Sequence, residues 1–161
     1  MMIRKASVQD AETVFEIAQT TIRTVYPHYY PAGAVDFFAQ HHSADAVLSD
    51  VKAGIVYLCT AEDGKAAGTV TIRKNEILRL FVLPEYQGNG YGGVLLRYAE
   101  RLCAEQYDTA VLDVSFAAKA IYRKYGYTET DYIVLPVGNG DYLCYDIMKK
   151  SLHQGGEPYD A

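Results

Sequence analysis

Gly88, Gly90, Gly92 and Gly93 put four glycines into six positions, just ahead of a stretch with helical apolar spacing. Glycine lets the main chain come close to a ligand, and the N–H groups at a helix start lack partners within the helix, so such a turn suits a phosphate. A plain surface turn has no need of four glycines at that place. One phosphate chemistry is dinucleotide binding. Gly88, Gly90 and Gly93 match G-x-G-x-x-G, and Asp113 stands about twenty residues on, near the end of the next strand. Two features count against this nicotinamide reading. Leu83 to Gln87 separate the first glycine from its strand, and a doubly wound sheet needs several βα units where antiparallel hairpins flank this one. Metal chemistry finds no pattern to rest on, and no metal is expected. His28, His41, His42 and His153 include one adjacent pair; neighbours on a helix point apart, so His41 and His42 read as a half-buried and a solvated residue rather than as ligands. Cys59, Cys103 and Cys144 are widely spaced and form no C-x-x-C, which suits reduced thiols.

The glycine turn can hold a ligand only if a strand delivers it and a helix receives it. Glu76 to Val82 reads as that strand, ended by Pro84, and Tyr91 to Gln106 as that helix, with Val94, Leu95, Tyr98 and Leu102 on one face. Upstream, Ile3 to Ala6 is a short strand. Ser7 can cap a helix running to about Arg23, with Ala11, Val14, Phe15, Ala18 and Ile22 on one face. Tyr26-Pro27-His28-Tyr29-Tyr30-Pro31-Ala32-Gly33 is an aromatic loop whose prolines stop that helix. A helical stretch from Ala34 to about Gln40 follows, then one capped by Ser43. Ile55 to Thr60 and Ala66 to Arg73 form a hairpin across Asp63-Gly64. Downstream come the strand Thr109 to Val114, a short helix from Ala117 to Tyr125 closed by Gly126, and a hairpin of Tyr127 to Val137 with Asp141 to Met148. The order, β-α-α-β-β-β-α-β-α-β-β, predicts an α/β domain with a mixed, mostly antiparallel twisted sheet flanked by helices.

The length of 161 residues fits one domain. Residues 1–152 are expected to form it, with a loose polar tail at 153–161. Fifteen Lys and Arg against 20 Asp and Glu give a net charge of −5, which argues against a nucleic-acid partner. The longest apolar run, Ile55 to Cys59, is far too short for a membrane span, and Met1-Met2-Ile3-Arg4-Lys5 lacks the apolar region of a signal sequence. A cytoplasmic protein with no membrane partner is therefore expected.

Gln87-Gly88-Asn89-Gly90-Tyr91-Gly92 fits Q/R-x-x-G-x-G/A, and in this it resembles the acyl-CoA pyrophosphate loop of the GCN5-related N-acetyltransferases (GNAT). Glu76 to Tyr86 looks like the strand that leads into that loop. Ala118 to Tyr127, containing Ile121-Tyr122-Arg123-Lys124-Tyr125-Gly126-Tyr127, resembles the family's A-x-x-x-Y-x-K-x-G-F/Y stretch, and Ile3-Arg4-Lys5-Ala6-Ser7 is a family-like opening. The resemblance covers roughly residues 2 to 150 and agrees with the element order. It departs at Ser115, where many members carry Asn seven residues before the motif tyrosine, leaving a shorter hydroxyl to meet the cofactor.

The resemblance implies transfer of an acetyl group from acetyl-CoA to a primary amine of a small molecule or peptide. Gln87, Gly88, Asn89, Gly90, Tyr91 and Gly92 would hold the pyrophosphate. The Phe81–Val82 backbone would pair with the pantetheine arm and offer an N–H to the thioester oxygen, with Ser115 and Ala118 also at the cofactor. Lys119, Arg123 and Lys124 either meet the 3′-phosphate or form a solvated helix face. Tyr122 is the implied acid: a thiol near 8.5 and a phenol near 10 differ by about 1.5 units, roughly 2 kcal/mol. Glu76, eleven residues before Gln87, is the implied base. A Glu near 4.3 and an alkyl ammonium near 10.4 differ by about 8 kcal/mol, so it needs a raised pKa, a water relay or an amine of depressed pKa. The acceptor would approach past Tyr26, His28, Tyr29, Tyr30 and the turn from Val137 to Asp141. Dimerisation is common in the family, so a homodimer is among the expected partners. A noncatalytic acyl-CoA sensor would carry the same loop, and an NAD-dependent oxidoreductase is the third reading.

Overall fold

Prolines, caps and the alternation of apolar residues divide the described residues into twelve principal elements. The computed structural model describes residues 1–152. In chain order these elements are β1 (Met2–Lys5), α1 (Ala11–Val25), α2 (Ala32–His41), α3 (Ala44–Lys52), β2 (Val56–Thr60), β3 (Ala66–Arg73), β4 (Glu76–Val82), α4 (Tyr91–Ala104), β5 (Thr109–Val114), α5 (Lys119–Lys124), β6 (Thr128–Pro136) and β7 (Tyr142–Ser151). Three helices, not two, separate β1 from β2, which corrects the order written from the sequence. The additional one is short, and Ser43 starts it as expected: its hydroxyl accepts the Ala46 N–H at 3.2 Å. Pro31 is the N-cap of α2, so that helix begins before its apolar spacing shows it.

The seven strands form one sheet in the order β1-β2-β3-β4-β5-β7-β6. All neighbours are antiparallel except β4 and β5. The expected α/β class and mixed sheet are thus observed. Helices α1 to α3 cover one face, where Val14, Ile17, Ala18 and Ile22 meet Val56, Leu58 and Phe81. Helices α4 and α5 cover the other, where Leu95, Leu96, Ala99 and Cys103 meet Val70, Ile77 and Leu112. The buried stripe of α4 is rotated from the expected one. Leu96, Ala99 and Cys103 join Leu95, while Val94, Tyr98 and Leu102 lie half-buried on its flank. Tyr98 there packs edge-on against Tyr57, with ring centroids 5.2 Å apart. Among the described residues no helix is long and apolar enough to cross a membrane. The expected polar tail, with His153, lies outside the described residues.

Candidate active site

The parallel strands β4 and β5 meet at one register, Glu76 with Val111, and part beyond it. The cause is visible in β4. Its register with β3 passes from Thr71–Leu78 to Thr69–Phe81, so β4 carries one extra residue opposite Val70. Such a bulge bends its strand and re-aims it. Arg79 lies in the bulge at φ 47°, a left-handed conformation uncommon for a long side chain. Three elements hold it there. Nη1 donates to Asp50 of α3 at 3.0 Å and to the Thr71 hydroxyl of β3 at 3.2 Å, and Nε donates to His42 Nδ1, just past α2, at 3.1 Å. The Arg79 side chain is 6% exposed, so this charge is matched in a dry place by the Asp50 carboxylate.

Where the strands part, two cavities open end to end. The first, about 390 Å³, runs between α1, the end of β4, the glycine turn and α5. Its floor is backbone. Leu83 N–H bonds Ala67 of β3, and alternation along the strand then turns the Val82 amide to the parted side. There the Val82 carbonyl accepts the Gln87 side-chain amide at 2.9 Å and the Thr21 hydroxyl at 3.4 Å, in place of a neighbouring strand. Gly88 and Gly90 adopt φ 79° and 85°, which bends the chain into α4 without a Cβ penalty. Val94 N–H is the first of α4 to bond back, to Gly90, so the N–H groups of residues 91–93 lie ahead of it at the positive end of the helix dipole. This groove fits an acyl-CoA: an N–H-lined mouth for phosphates and a strand edge for the pantetheine arm.

The second cavity, about 260 Å³, lies between α2, the bulge, β5 and the β6–β7 hairpin. Phe37, Phe38, Phe81 and Tyr145 give it aromatic walls, with His41, His42, Arg79 and Asp113 among its polar lining. Burial, with Arg79 and His41 alongside, pulls His42 down to about 3, so it is neutral near pH 7, with Nδ1 occupied by Arg79. Asp113 is raised, first by burial and then by the Glu76 charge, with His41 acting against both. The two cavities share Tyr26, Leu80, Phe81, Ser115, Ala118 and Tyr122. Tyr122 is 8% exposed at this junction. Burial, and then the neighbouring Tyr26, push its phenol above the ordinary range. Tyr26 itself is raised to about 12 by burial, partly offset by the Ser115 side chain. Two protonated phenols and a hydroxyl therefore gather at the point where the cavities meet.

The sequence model for the acetyltransferase (GNAT) domain matches residues 25–140. The chain belongs to the GNAT acetyltransferase family. It is 27% identical over 110 residues to a spermidine N(1)-acetyltransferase of Thermoplasma acidophilum, covering 62% of this chain and 68% of that one. Among solved structures, a GCN5-related N-acetyltransferase from Rhodopseudomonas palustris superposes with TM-score 0.85 at 22% identity, over 94% of this chain and 95% of that one. The PaiA N-acetyltransferase of Thermoplasma acidophilum, solved with coenzyme A, gives 0.70 at 24% identity over 93% and 98%. The ribosomal-protein-S18-alanine N-acetyltransferase of Escherichia coli gives 0.64 at 21% identity over 99% of each.

In this GNAT enzyme, Phe81, Val82, Gln87, Gly88, Gly90, Tyr91, Gly92, Ser115, Ala118 and Tyr122 all line the first cavity, as does Tyr26. Asn89 does not; its amide donates to the Tyr86 and Gln87 carbonyls and shapes the turn. Glu76 is exposed at the start of β4 and lines neither cavity. Lys119 pairs with Asp146 and Glu129, and Arg123 with Glu129, which accords with a surface ion-pair face. Two of the tyrosines expected at the acceptor mouth stand elsewhere. Tyr29 is 51% exposed outside both cavities. Tyr30 is buried: its hydroxyl donates to the Cys144 carbonyl at 3.1 Å and accepts the Phe116 N–H at 2.9 Å, pinning the loop to the sheet. The 138–141 turn contributes indirectly, since Asp141 accepts the Gly33 N–H at 2.8 Å and docks the hairpin onto α2. The sequence reading missed Phe37, Phe38, Arg79 and Tyr145, used His41 and His42 only as non-ligands, and met Asp113 only as part of a dinucleotide pattern. The aromatic residues of α2, Phe37 and Phe38 with His41 about one turn further on, are the signal that was available.

Proposed function

We propose that this enzyme transfers an acetyl group from acetyl-CoA directly to a primary amine of a small molecule or peptide. The observation that carries this reading is the junction: a groove suited to acyl-CoA and a separate aromatic cavity meet at buried Tyr122. Direct transfer needs both partners in contact, and two cavities joined end to end provide that. Acetyl-CoA supplies the thioester. The N–H groups at the start of α4 and the turn from Gln87 to Gly92 hold its pyrophosphate, and the parted edge at Phe81–Val82 holds the pantetheine arm and offers an N–H to the carbonyl oxygen. Tyr122 donates to the departing sulfur. Glu76 stands outside the cavities, so its part as a base runs through water, which suits the large gap between a carboxylate and an ammonium.

The relatives named for an acceptor differ in it, one for spermidine and one for a ribosomal protein's alanine. The amine class therefore comes from a screen. Purified protein with acetyl-CoA and a panel of amines and N-terminal peptides should release CoA with at least one of them. Tight acetyl-CoA binding without release from any acceptor would favour the noncatalytic sensor instead. Thermal stabilisation by NAD and not by acetyl-CoA would favour the oxidoreductase.

A further inference from the structure

Gly93 lies in the first turn of α4 and, unlike Gly88 and Gly90, has no positive φ. The backbone therefore does not ask for glycine there, and glycine weakens a helix relative to alanine. What excludes a side chain is Tyr125. Its hydroxyl stands well inside contact distance of the place that a Cβ on residue 93 would take, with Tyr125 Cζ at 3.2 Å and Arg97 Nη1 at 3.4 Å from the same place. Tyr125 is the residue that closes α5, and its half-buried ring packs against the core beneath α4. A tyrosine from a neighbouring element thus sets a hydroxyl where the side chain of residue 93 would be.

That hydroxyl faces the first cavity beside Gly92 and Gly93, and no hydrogen bond joins it to another described residue. It stands at the mouth where the N–H groups of residues 91–93 precede the first bonded N–H of α4. Among the described residues no charged side chain lines this groove. A pyrophosphate there is therefore met by neutral donors, which are main-chain N–H groups and hydroxyls. The surroundings ask for an anion as well. Helical side chains lean toward the N-terminus, and Arg97 so brings a guanidinium, with no ion-pair partner among the described residues, to the positive end of the α4 dipole. We propose that the Tyr125 hydroxyl is a ligand of the cofactor's pyrophosphate. It donates to the same phosphate group as the Gly93 N–H, in place of a side chain on residue 93. This rests on the acyl-CoA reading of the groove above.

Calorimetric binding of CoA tests this without any acceptor. Tyr125→Phe keeps the ring and removes the hydroxyl, so the Kd for CoA should rise roughly 10- to 100-fold, as expected for losing a hydrogen bond to a charged group. Dephospho-CoA, which keeps the pyrophosphate and lacks the 3′-phosphate, should lose by the same factor. Pantetheine, which carries no phosphate, should bind both proteins equally. The double variant Gly93→Ser with Tyr125→Phe returns an oxygen to the vacated place and should bring the CoA Kd back to within about threefold of wild type. Gly93→Ala with Tyr125→Phe fills the same space without an oxygen and should not. Melting of free Tyr125→Phe within about 2 °C of wild type shows that a loss of affinity is not a loss of fold. An unchanged CoA Kd in Tyr125→Phe, a loss that dephospho-CoA does not share, or equal Kd values for the serine and alanine double variants overturns the proposal. A wild type that binds neither CoA nor dephospho-CoA overturns the acyl-CoA reading and this proposal with it. A wild type that binds both, with Tyr125→Phe unimpaired, overturns this proposal alone.

Discussion

Replacing Tyr122 with phenylalanine removes one oxygen from the junction and leaves the ring. The leaving thiol has an ordinary pKa near 8.5 and a phenol one near 10, so proton transfer is uphill by about 2 kcal/mol before burial is considered. Burial raises Tyr122 further, which widens the gap. In the mechanism proposed above, the hydroxyl therefore acts as a hydrogen-bond donor to the developing thiolate and parts with its proton late. The same dry setting that makes full transfer harder makes the hydrogen bond to an anion stronger. Positioned acids contribute about 10²- to 10⁴-fold, or roughly 3–5 kcal/mol of the barrier. Tyr122→Phe should lower kcat, read as CoA release at saturating substrates, by that factor. Acetyl-CoA affinity should stay within about threefold, because the ring keeps its edge-on contact with Tyr127 at 5.8 Å. Tyr26 brings a second hydroxyl to the junction and can substitute as donor. Tyr26→Phe alone should cost less than Tyr122→Phe, and the double variant should fall below both. Because Tyr122 stays protonated past the usual phenol range, the wild-type kcat should show no alkaline fall from this group below about pH 10. A Tyr122→Phe kcat unchanged within about threefold, with Tyr26 also replaced, would refute the reasoning.

Asp50→Asn leaves the buried Arg79 guanidinium without its counter-charge, so stability should fall by about 3–5 kcal/mol, or roughly 6–20 °C in melting temperature. Gly93→Ala would set a Cβ on the Tyr125 hydroxyl, well inside contact distance; it should cost about 1–3 kcal/mol and weaken stabilisation by acetyl-CoA, and Tyr125→Phe in the same chain should restore the former alone. His42 titrates near 6.5 when unfolded and at about 3 when folded, so the unfolded chain takes up the proton first. The His42 contribution is therefore complete above about pH 6.5 and is lost as the pH falls toward 3, by a few kcal/mol; denaturant titrations across that range should show an acid limb that His42→Gln lacks.

The parts legible in the sequence are those written in contiguous residues. The glycine turn and Tyr122 lie in short segments whose spacing survives folding, and the strands around them announce themselves by period. The second cavity has no such record. Its walls come from Phe37 and His41, Arg79, Asp113, Leu135 and Tyr145, residues on separate elements with no pattern between them. The tyrosine-rich loop divides for a related reason: Tyr26 lines both cavities and Tyr30 does not. Tyr30 is close in sequence to the acceptor side, but its hydroxyl is fixed by the Cys144 carbonyl, 114 residues away. Least legible of all was the bulge, because Arg79 takes a left-handed conformation without the Gly or Asn that usually announces one.

That conformation costs of order 1–3 kcal/mol and persists only where its surroundings over-determine it. Asp50, Thr71 and His42 do so from α3, β3 and the end of α2, and of the three His42 lines the second cavity together with Arg79. The extra residue that they stabilise is also what turns β4 away from β5 and exposes the Val82 amide to the first cavity. The floor of the second cavity and the strand edge in the first are thus two consequences of one inserted residue. Loosening Arg79 should therefore disturb both sites at once, whereas a change at Asp113, two strand positions from the junction, should disturb only one.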